Sequence, residues 1–295
     1  MKSGMVAVIG RANAGKSTLV NVLVGEKVSI VSPRPQTTRD RIAGVKNGDG
    51  YQIVFVDTPG IYSADNMLNS VMQKTTADVA KDVDAILLVI DSHDGLTDKD
   101  VNIVRKYSAA GVPMAVALTK IDIANENLLI SEIKKLSETG VEIVPVSARR
   151  GKNLGELVKV LVSMLGEGER LFGDDVVSDR SERFMVSEII REKVLLKFDK
   201  EIPHGVCVVL NKFELSENGA FYDISADIVC EKQNHKAILI GKGGRAIKEV
   251  SSFARADLEK FLGKKVFLTT YVKVKENWRN SAFLIKEHGY GEDKY

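Results

Sequence analysis

The first half of the chain alternates short, almost wholly apolar runs with longer stretches in which apolar residues recur every three or four positions. Residues 5–10 (MVAVIG), 51–57 (YQIVFVD), 85–91 (AILLVID), 113–119 (PMAVALT) and 142–147 (EIVPVS) read as strands. Four of them are near-continuous apolar runs, as expected for strands covered on both faces. Residues 16–25, 68–82, 98–111, 128–140 and 154–165 carry the helical period. Gly25, Gly111 and Gly140 stand where a left-handed residue would close a helix. This alternation predicts an α/β domain with a doubly wound, mostly parallel sheet. The turn-like stretch 46–52 (KNGDGYQ) predicts that one strand, ending near Lys46, runs antiparallel to residues 51–57.

The pattern then breaks. Residues 166–182 are polar and without a long apolar period, and 171–181 read as a linker between a domain at 1–170 and another at 182–295. The second domain has a different order: a helix at 182–198, strands at 206–215 and 222–231, a helix from about His235, a glycine turn, a helix at Arg245–Leu262, and a strand at 265–274. Along 222–231, Tyr222, Ile224, Ala226, Ile228 and Cys230 alternate with Asp223, Ser225 and Asp227, predicting one dry face and one wet face. The order αββααβ is that of an α+β domain and cannot continue the first sheet.

At the end of the first strand stands GRANAGKST: Gly10, Arg11, Ala12, Asn13, Ala14, Gly15, Lys16, Ser17 and Thr18. It fits G-x-x-x-x-G-K-[ST] between a strand and a helix, the context that gives the motif its meaning. Backbone N–H groups of residues 13–18 would surround a β-phosphate at a helix N-terminus that already favours anions. Lys16 would bridge the β- and γ-phosphates, and Ser17 would ligate Mg²⁺. At the next strand end come Asp57, Thr58, Pro59, Gly60 and Ile61 (DTPGI). Asp57 would hold Mg²⁺ through water, and the Gly60 N–H would meet the γ-phosphate. Thr119, Lys120 and Asp122 (TKID) end another strand. The Asp122 carboxylate, read as buried, would accept two hydrogen bonds from guanine, and adenine lacks that donor pair. Ser147 and Ala148 end the next, where the Ala148 N–H would meet guanine O6. The polar segment Ser32–Arg41 suits a switch loop, in which a threonine hydroxyl meets Mg²⁺ and γ-phosphate; Thr38 is the choice and Thr37 its rival.

These stretches, in this order, resemble the translation-factor-like GTPases and imply GTP/GDP and Mg²⁺. Ile61 stands where Ras-like proteins carry a catalytic glutamine and cannot orient a water by hydrogen bonding. In GTPases similar to this one, an asparagine at the place of Asn13 helps to hold K⁺, which supplies positive charge to the reaction. The alternative reading of Asn13 is a residue tolerant of unusual loop dihedrals. The catalytic set is then Lys16, backbone groups at Thr38 and Gly60, and Asn13 through K⁺.

Composition narrows the rest. Hydrophobic residues make up 44% and charged residues 28% of the 295, a globular balance. No run approaches the roughly 18 apolar residues of a spanning helix, no leader is apparent, and a cytoplasmic protein is expected. Cys207 and Cys230 lack metal-ligand spacing and read as small buried hydrophobes. The formal net charge of +2 hides a basic stretch: residues 232–279 hold 12 Lys and Arg against 4 Asp and Glu. An anionic partner is expected there.

Within that stretch lies a second glycine-and-cation loop, Gly241, Lys242, Gly243 and Gly244, followed by Arg245. It lacks the spacing of the first loop, and no Asp-bearing strand end comes after it. A G-x-x-G turn between two helices of an αββααβ unit resembles a type II KH domain, whose loop clamps the backbone of single-stranded nucleic acid. Lys242, Arg245 and Lys248 would meet phosphates, with Ile238, Ile240 and Ile247 facing bases or filling core. The segments PRPQTTRDRI, DTPGI, SDRSERFMVSEIIREKVL, AILIGKGG and VKVKENWR together resemble the Era family of GTPases with a C-terminal KH domain, over nearly the whole chain. Ala12 and Thr119 depart from the proline and asparagine usual in that family, which puts nucleotide affinity in question more than specificity. The resemblance implies binding of the single-stranded 3′ end of small-subunit ribosomal RNA, coupled to the GTP state, and assistance in maturation of the small ribosomal subunit. A monomer is expected, and the resemblance allows peripheral association with the inner face of the membrane. Arg279 would pair with the RNA; Trp278 would either stack on it or pack.

Overall fold

In the computed structural model, which describes residues 1–61, 65–109 and 111–291, the first half is an α/β layer structure. Its elements are β1 (Lys2–Gly10), α1 (Lys16–Val24), β2 (Ile42–Gly48), β3 (Tyr51–Asp57), α2 (Met67–Val79), β4 (Ala85–Asp91), α3 (Asp98–Ala109), β5 (Met114–Thr119), α4 (Glu126–Ser137), β6 (Glu142–Pro145) and α5 (Leu154–Met164). Residue 110 of the predicted helix 98–111 lies outside the described residues, as do the last four of the predicted domain 182–295. The sheet order is β2-β3-β1-β4-β5-β6, parallel except for the β2–β3 hairpin. The apolar runs explain the order. Every residue of β4 and β5 is buried, and these strands fill the centre where helices cover both faces. Fully burying one such side chain is worth about 1.5–3 kcal/mol, so any arrangement leaving β4 or β5 at an edge is heavily disfavoured. The strand after each right-handed crossover ends on the same side, which delivers Gly10, Asp57, Asp91 and Thr119 to one rim of the sheet.

The stretch read as a linker is largely structured. Gln52, fully buried, accepts from the Leu171 and Phe172 N–H groups at 2.7 and 3.0 Å and donates to the Phe172 carbonyl at 2.9 Å. Val45 N–H donates to the Val177 carbonyl at 2.8 Å, and Asp179 accepts from the Ala43 N–H at 2.9 Å. Val177 and Asp179 thereby occupy open hydrogen bonds of edge strand β2, which an uncovered edge would offer to other chains.

The second half contains α6 (Glu182–Lys197), β7 (Cys207–Leu215), β8 (Phe221–Cys230), α7 (Gln233–Ile240), α8 (Arg245–Leu262), β9 (Lys265–Val274) and the short α9 (Ala282–Glu287). This is the αββααβ order expected of a KH domain. The sheet runs β7-β8-β9, with β8–β9 parallel. Its apolar face packs on α6, α7 and α8 through Ile189, Ile190, Val194, Ile224, Ile228, Leu239, Val250, Ala254 and Leu258. The wet face of β8 is drier than the alternation implies: Asp227 is 5% exposed, because Lys273 of β9 covers it in an ion pair of 2.6 Å. Cys207 and Cys230 are buried and unbonded to each other. Trp278 is fully buried, its indole donates to the Gly205 carbonyl at 2.9 Å and it stacks on Tyr290, so this side chain packs.

The described residues divide into two compact units. The first holds Met1–Ser29, a stretch from Thr38, and Met72–Asp179. The second holds the chain from Arg180 together with two pieces of the N-terminal half, Ile30–Thr37 and a stretch ending at Val71. Among the described residues no helix is long and apolar enough to cross a membrane.

Candidate nucleotide and nucleic-acid sites

In the first unit, the loop from Gly10 to Ser17 wraps the start of α1. Gly10 has φ 153°, and a Cβ there would lie 2.3 Å from the Val89 carbonyl oxygen, so only glycine fits. Gly15 and Asn13 take left-handed conformations, φ 91° and 63°. For Asn13 this matches the conformational reading, and its side chain is exposed. Gly60 is packed so close that a Cβ would sit 2.9 Å from Ala12 Cα. The Ile61 N–H donates to the Gly10 carbonyl at 3.1 Å, which lays the DTPGI turn against the phosphate loop.

Lys16, 6% exposed, donates to the Gly10 and Arg11 carbonyls at 3.1 and 2.9 Å. Burial pushes its pKa down to about 8, against the opposing pull of Asp57. Asp57 is fully buried, and burial raises its pKa. Its Oδ2 accepts from the Thr38 hydroxyl at 3.3 Å, while buried Oδ1 has no hydrogen-bond partner. Thr38 Oγ1 and Ser17 Oγ are 2.8 Å apart. Two hydroxyls, a carboxylate with an unsatisfied oxygen and a buried ammonium thus converge on one spot. That donor set suits Mg²⁺, a hard cation, and the oxygen anions beside it. Thr37 goes elsewhere: its hydroxyl donates to the Arg34 carbonyl at 2.6 Å and lies 2.7 Å from Ser32 Oγ. Thr58 is turned inward, bonding the Val8 carbonyl at 2.8 Å.

A pH dependence arises from Lys16. Phosphates favour its charged form, so nucleotide binding above the free-state pKa must take up a proton. Affinity is expected to be flat below pH 8 and to fall by up to about tenfold per unit above it. Calorimetry of GDP binding in buffers of different ionisation heat should detect the proton; its absence about one unit above that pKa would place the Lys16 pKa elsewhere.

The residues expected to meet the base converge as well. Asp122 Oδ1 accepts from the Ser147 hydroxyl at 2.6 Å, which with neighbouring Arg150 and Arg149 holds the carboxyl below its usual range. Asp122 is exposed, which corrects the expectation of a buried carboxylate. Its desolvation, and hence its selectivity, would begin only when a base covers it. Lys120, with φ 58°, pairs with Asp91. Thr119 is 2% exposed and its hydroxyl reaches the Ala14 carbonyl at 2.7 Å and that of Ile90 at 3.0 Å. The threonine therefore does tie the phosphate loop to the end of β5. Two supports escaped sequence reasoning: Asp91, and Asp100, which pairs with Arg11 at 3.2 Å while Arg11 donates to the Gly95 carbonyl at 2.7 Å. Their partners are far away along the chain, and no local pattern marks them.

In the second unit, the turn Lys242–Gly244 joins α7 to α8. Gly241 (φ 71°) could not hold a Cβ, which would stand 2.7 Å from that of Ala246. Gly243 and Gly244 have φ 61° and 76°, with nothing within 4 Å of a Cβ at either. Lys242, Arg245 and Lys248 are exposed around the turn. Ile238 is 50% exposed, whereas Ile240 and Ile247 pack partly against the core. Arg279 stands apart from this group: Glu231 holds its guanidinium at 2.6 and 2.9 Å.

A P-loop nucleotide-binding domain followed by an αββααβ RNA-binding-type domain is what fold and sites define. Residues 5–120 match the family model of the 50S ribosome-binding GTPases, and residues 201–279 that of the KH domain. The chain is 44% identical over 291 residues to GTPase Era of Alkaliphilus metalliredigens, covering 98% of this chain and 99% of that one. It is 43% identical over 295 residues to GTPase Era of Clostridium acetobutylicum, covering 99% of each. Among solved structures, an Aquifex aeolicus Era variant bound to GDP and AlF4⁻ superposes with a TM-score of 0.94 at 37% identity, over 99% of this chain and 100% of that one. An Era in complex with MgGDPNP and nucleotides 1506–1542 of 16S ribosomal RNA does so with the same TM-score, identity and coverage. The chain belongs to the Era family of GTPases.

Proposed function

We propose that this GTPase uses Mg²⁺-bound GTP to control how its KH domain holds the single-stranded 3′ end of small-subunit ribosomal RNA, and that it thereby assists maturation of the small ribosomal subunit. The observation that carries this reading is the convergence of Ser17, Thr38 and Asp57 beside buried Lys16, in a chain that also presents an open glycine turn ringed by Lys242, Arg245 and Lys248. Ser17 and Thr38 would hold Mg²⁺ directly and Asp57 would hold it through water. The ion would draw charge from the phosphate oxygens as the terminal P–O bond breaks. Lys16 supplies a second, fixed positive charge. Ile61 has no polar group, so the attacking water falls to backbone groups at Gly60 and Thr38. At the other site, glycine lets a sugar–phosphate chain approach the turn closely, and the three cations compensate its charge. The complex of the Era relative with MgGDPNP and 16S ribosomal RNA nucleotides supports both halves.

The deciding experiment crosslinks the full chain to RNA with a GTP analogue or with GDP, then sequences the RNA. Enrichment of the 3′ end in the analogue state is expected; equal recovery of unrelated RNA in both states would sink the reading. Asn13 helps to hold K⁺ beside the phosphates. Hydrolysis should then run about tenfold faster in KCl than in NaCl at equal ionic strength. Equal rates would remove that role. The protein acts as a monomer in the cytoplasm; sedimentation with and without anionic vesicles tests both the monomer and the peripheral membrane association that the family resemblance allows.

A further inference from the structure

The segment just before Thr38 is pinned by one helix. Ile30–Thr37 belongs to the second compact unit, where hydrogen bonds and an ion pair tie it to α6 and the residues just after it. The Val31 N–H donates to Glu192 Oε1 at 2.9 Å. Arg34 Nε donates to the Leu195 carbonyl at 3.4 Å, and its guanidinium pairs with Asp199. Arg191 donates to the Thr37 carbonyl. Arg191, Glu192 and Leu195 fall on one arc of a helix with about 3.6 residues per turn, so a single face grips the segment at several points.

Arg191 is the rigid member. It is fully buried, and Glu188, one turn earlier on α6, fixes the guanidinium through its Nε at 2.7 Å and through a terminal nitrogen at 2.5 Å. The planar fork serves two acceptors at once, a carboxylate and a main-chain carbonyl, which a lysine cannot reproduce. The carbonyl it holds belongs to the peptide that joins Thr37 to Thr38. Fixing that peptide plane fixes the direction in which Thr38 leaves it. The Thr38 hydroxyl then stands 2.8 Å from Ser17 Oγ and 3.3 Å from Asp57 Oδ2.

We infer that Arg191 is a positioning residue for the hydrolytic site: by holding the Thr37 carbonyl it aims the Thr38 hydroxyl at the Mg²⁺ and γ-phosphate position, with Arg34 as a second anchor of the same segment. This rests on the reading of Thr38 as the switch ligand. GDP lacks the γ-phosphate that Thr38 would meet together with Mg²⁺, so the contribution of Arg191 falls mainly on the triphosphate.

The test measures affinities of the full chain for GDP and for a non-hydrolysable GTP analogue, both with Mg²⁺, in wild type, Arg191→Lys, Arg34→Ala, Thr38→Ala and the double variant Thr38→Ala/Arg191→Lys. Arg191→Lys should weaken the analogue about tenfold while GDP stays within about twofold, and Arg34→Ala should shift the same ratio in the same direction. The double variant should bind the analogue no more weakly than Thr38→Ala alone, because both act through one hydroxyl. Equal weakening of GDP and analogue, or no weakening of either, overturns the inference. Should Arg191→Lys fail to fold, Arg34→Ala, at a side chain that is 31% exposed, decides by the same ratio. If Thr38→Ala itself leaves the analogue unaffected, the switch-ligand reading fails and the inference with it. If Thr38→Ala weakens the analogue but the two arginine variants do not, the inference alone falls.

Discussion

Replacing Lys16 by alanine is expected to remove nucleotide binding from this protein while leaving its second half folded. Lys16 is 6% exposed, and its ammonium points along the inside of the phosphate loop, held by the Gly10 and Arg11 carbonyls. Away from water, a charge-assisted contact to phosphate is about twice as strong as a neutral one, and the loop offers only backbone N–H groups in its place. Its loss should cost GTP and GDP affinity at least about a hundredfold and hydrolysis more, because charge on the phosphates grows in the transition state. The Gly10 and Arg11 carbonyls that hold Lys16 both belong to the first unit, so single-stranded RNA affinity without nucleotide should be retained. Fluorescent-nucleotide titration and RNA gel shift on the same preparation check the two statements. Normal turnover by Lys16→Ala would overturn the assignment of the loop.

The mirror-image expectation concerns Gly243. Gly243→Asp should weaken single-stranded RNA binding by about thirtyfold or more, with intrinsic GTP turnover unchanged. Three effects act together. The left-handed φ of 61° strains a residue with a Cβ by about 1–2 kcal/mol. The new side chain would occupy the open space over the turn, where a sugar–phosphate chain has to come close. A carboxylate set among Lys242, Arg245 and Lys248 would cancel part of the positive field that draws an anion there. Gly241 is the wrong place for the same experiment: a Cβ there would strike Ala246, so substitution confounds folding with binding, whereas the space over Gly243 is empty. Gly243→Ala separates strain from charge and should fall between wild type and Gly243→Asp. Undiminished RNA affinity in Gly243→Asp would mean that the turn does not carry the RNA.

Much of this was legible along the chain because it is local. Buried parallel strands have to be apolar, a phosphate loop needs glycine at fixed steps, and the next residues after each strand fall on one rim by the handedness of the crossover. Gly10–Ser17, DTPGI, TKID and the GKGG turn are all readable on those grounds. Thr37 and Thr38 were not separable, since adjacent residues of like chemistry differ only in direction; the fold turns one hydroxyl to the Arg34 carbonyl and the other to Ser17. The burial of Asp122 does not follow from its motif, because without a base it meets solvent and Ser147. Arg279, basic and in the same basic stretch as the turn, is held by Glu231, a pairing that no local pattern marks.

The sequence by itself determined the two domain types, the order of their elements and the residues expected to meet phosphate, because periodicity and motif spacing are set by backbone geometry over a few turns of chain. Tertiary structure alone decided what those residues are fastened to: Gln52 gathering residues 171 and 172 onto the first sheet, Asp100 steadying Arg11, Glu188 and Arg191 fixing the peptide before Thr38. Most of these contacts span dozens of residues and join groups of ordinary type. A hydrogen bond depends on position and direction within a fraction of an ångström, and a linear pattern carries neither.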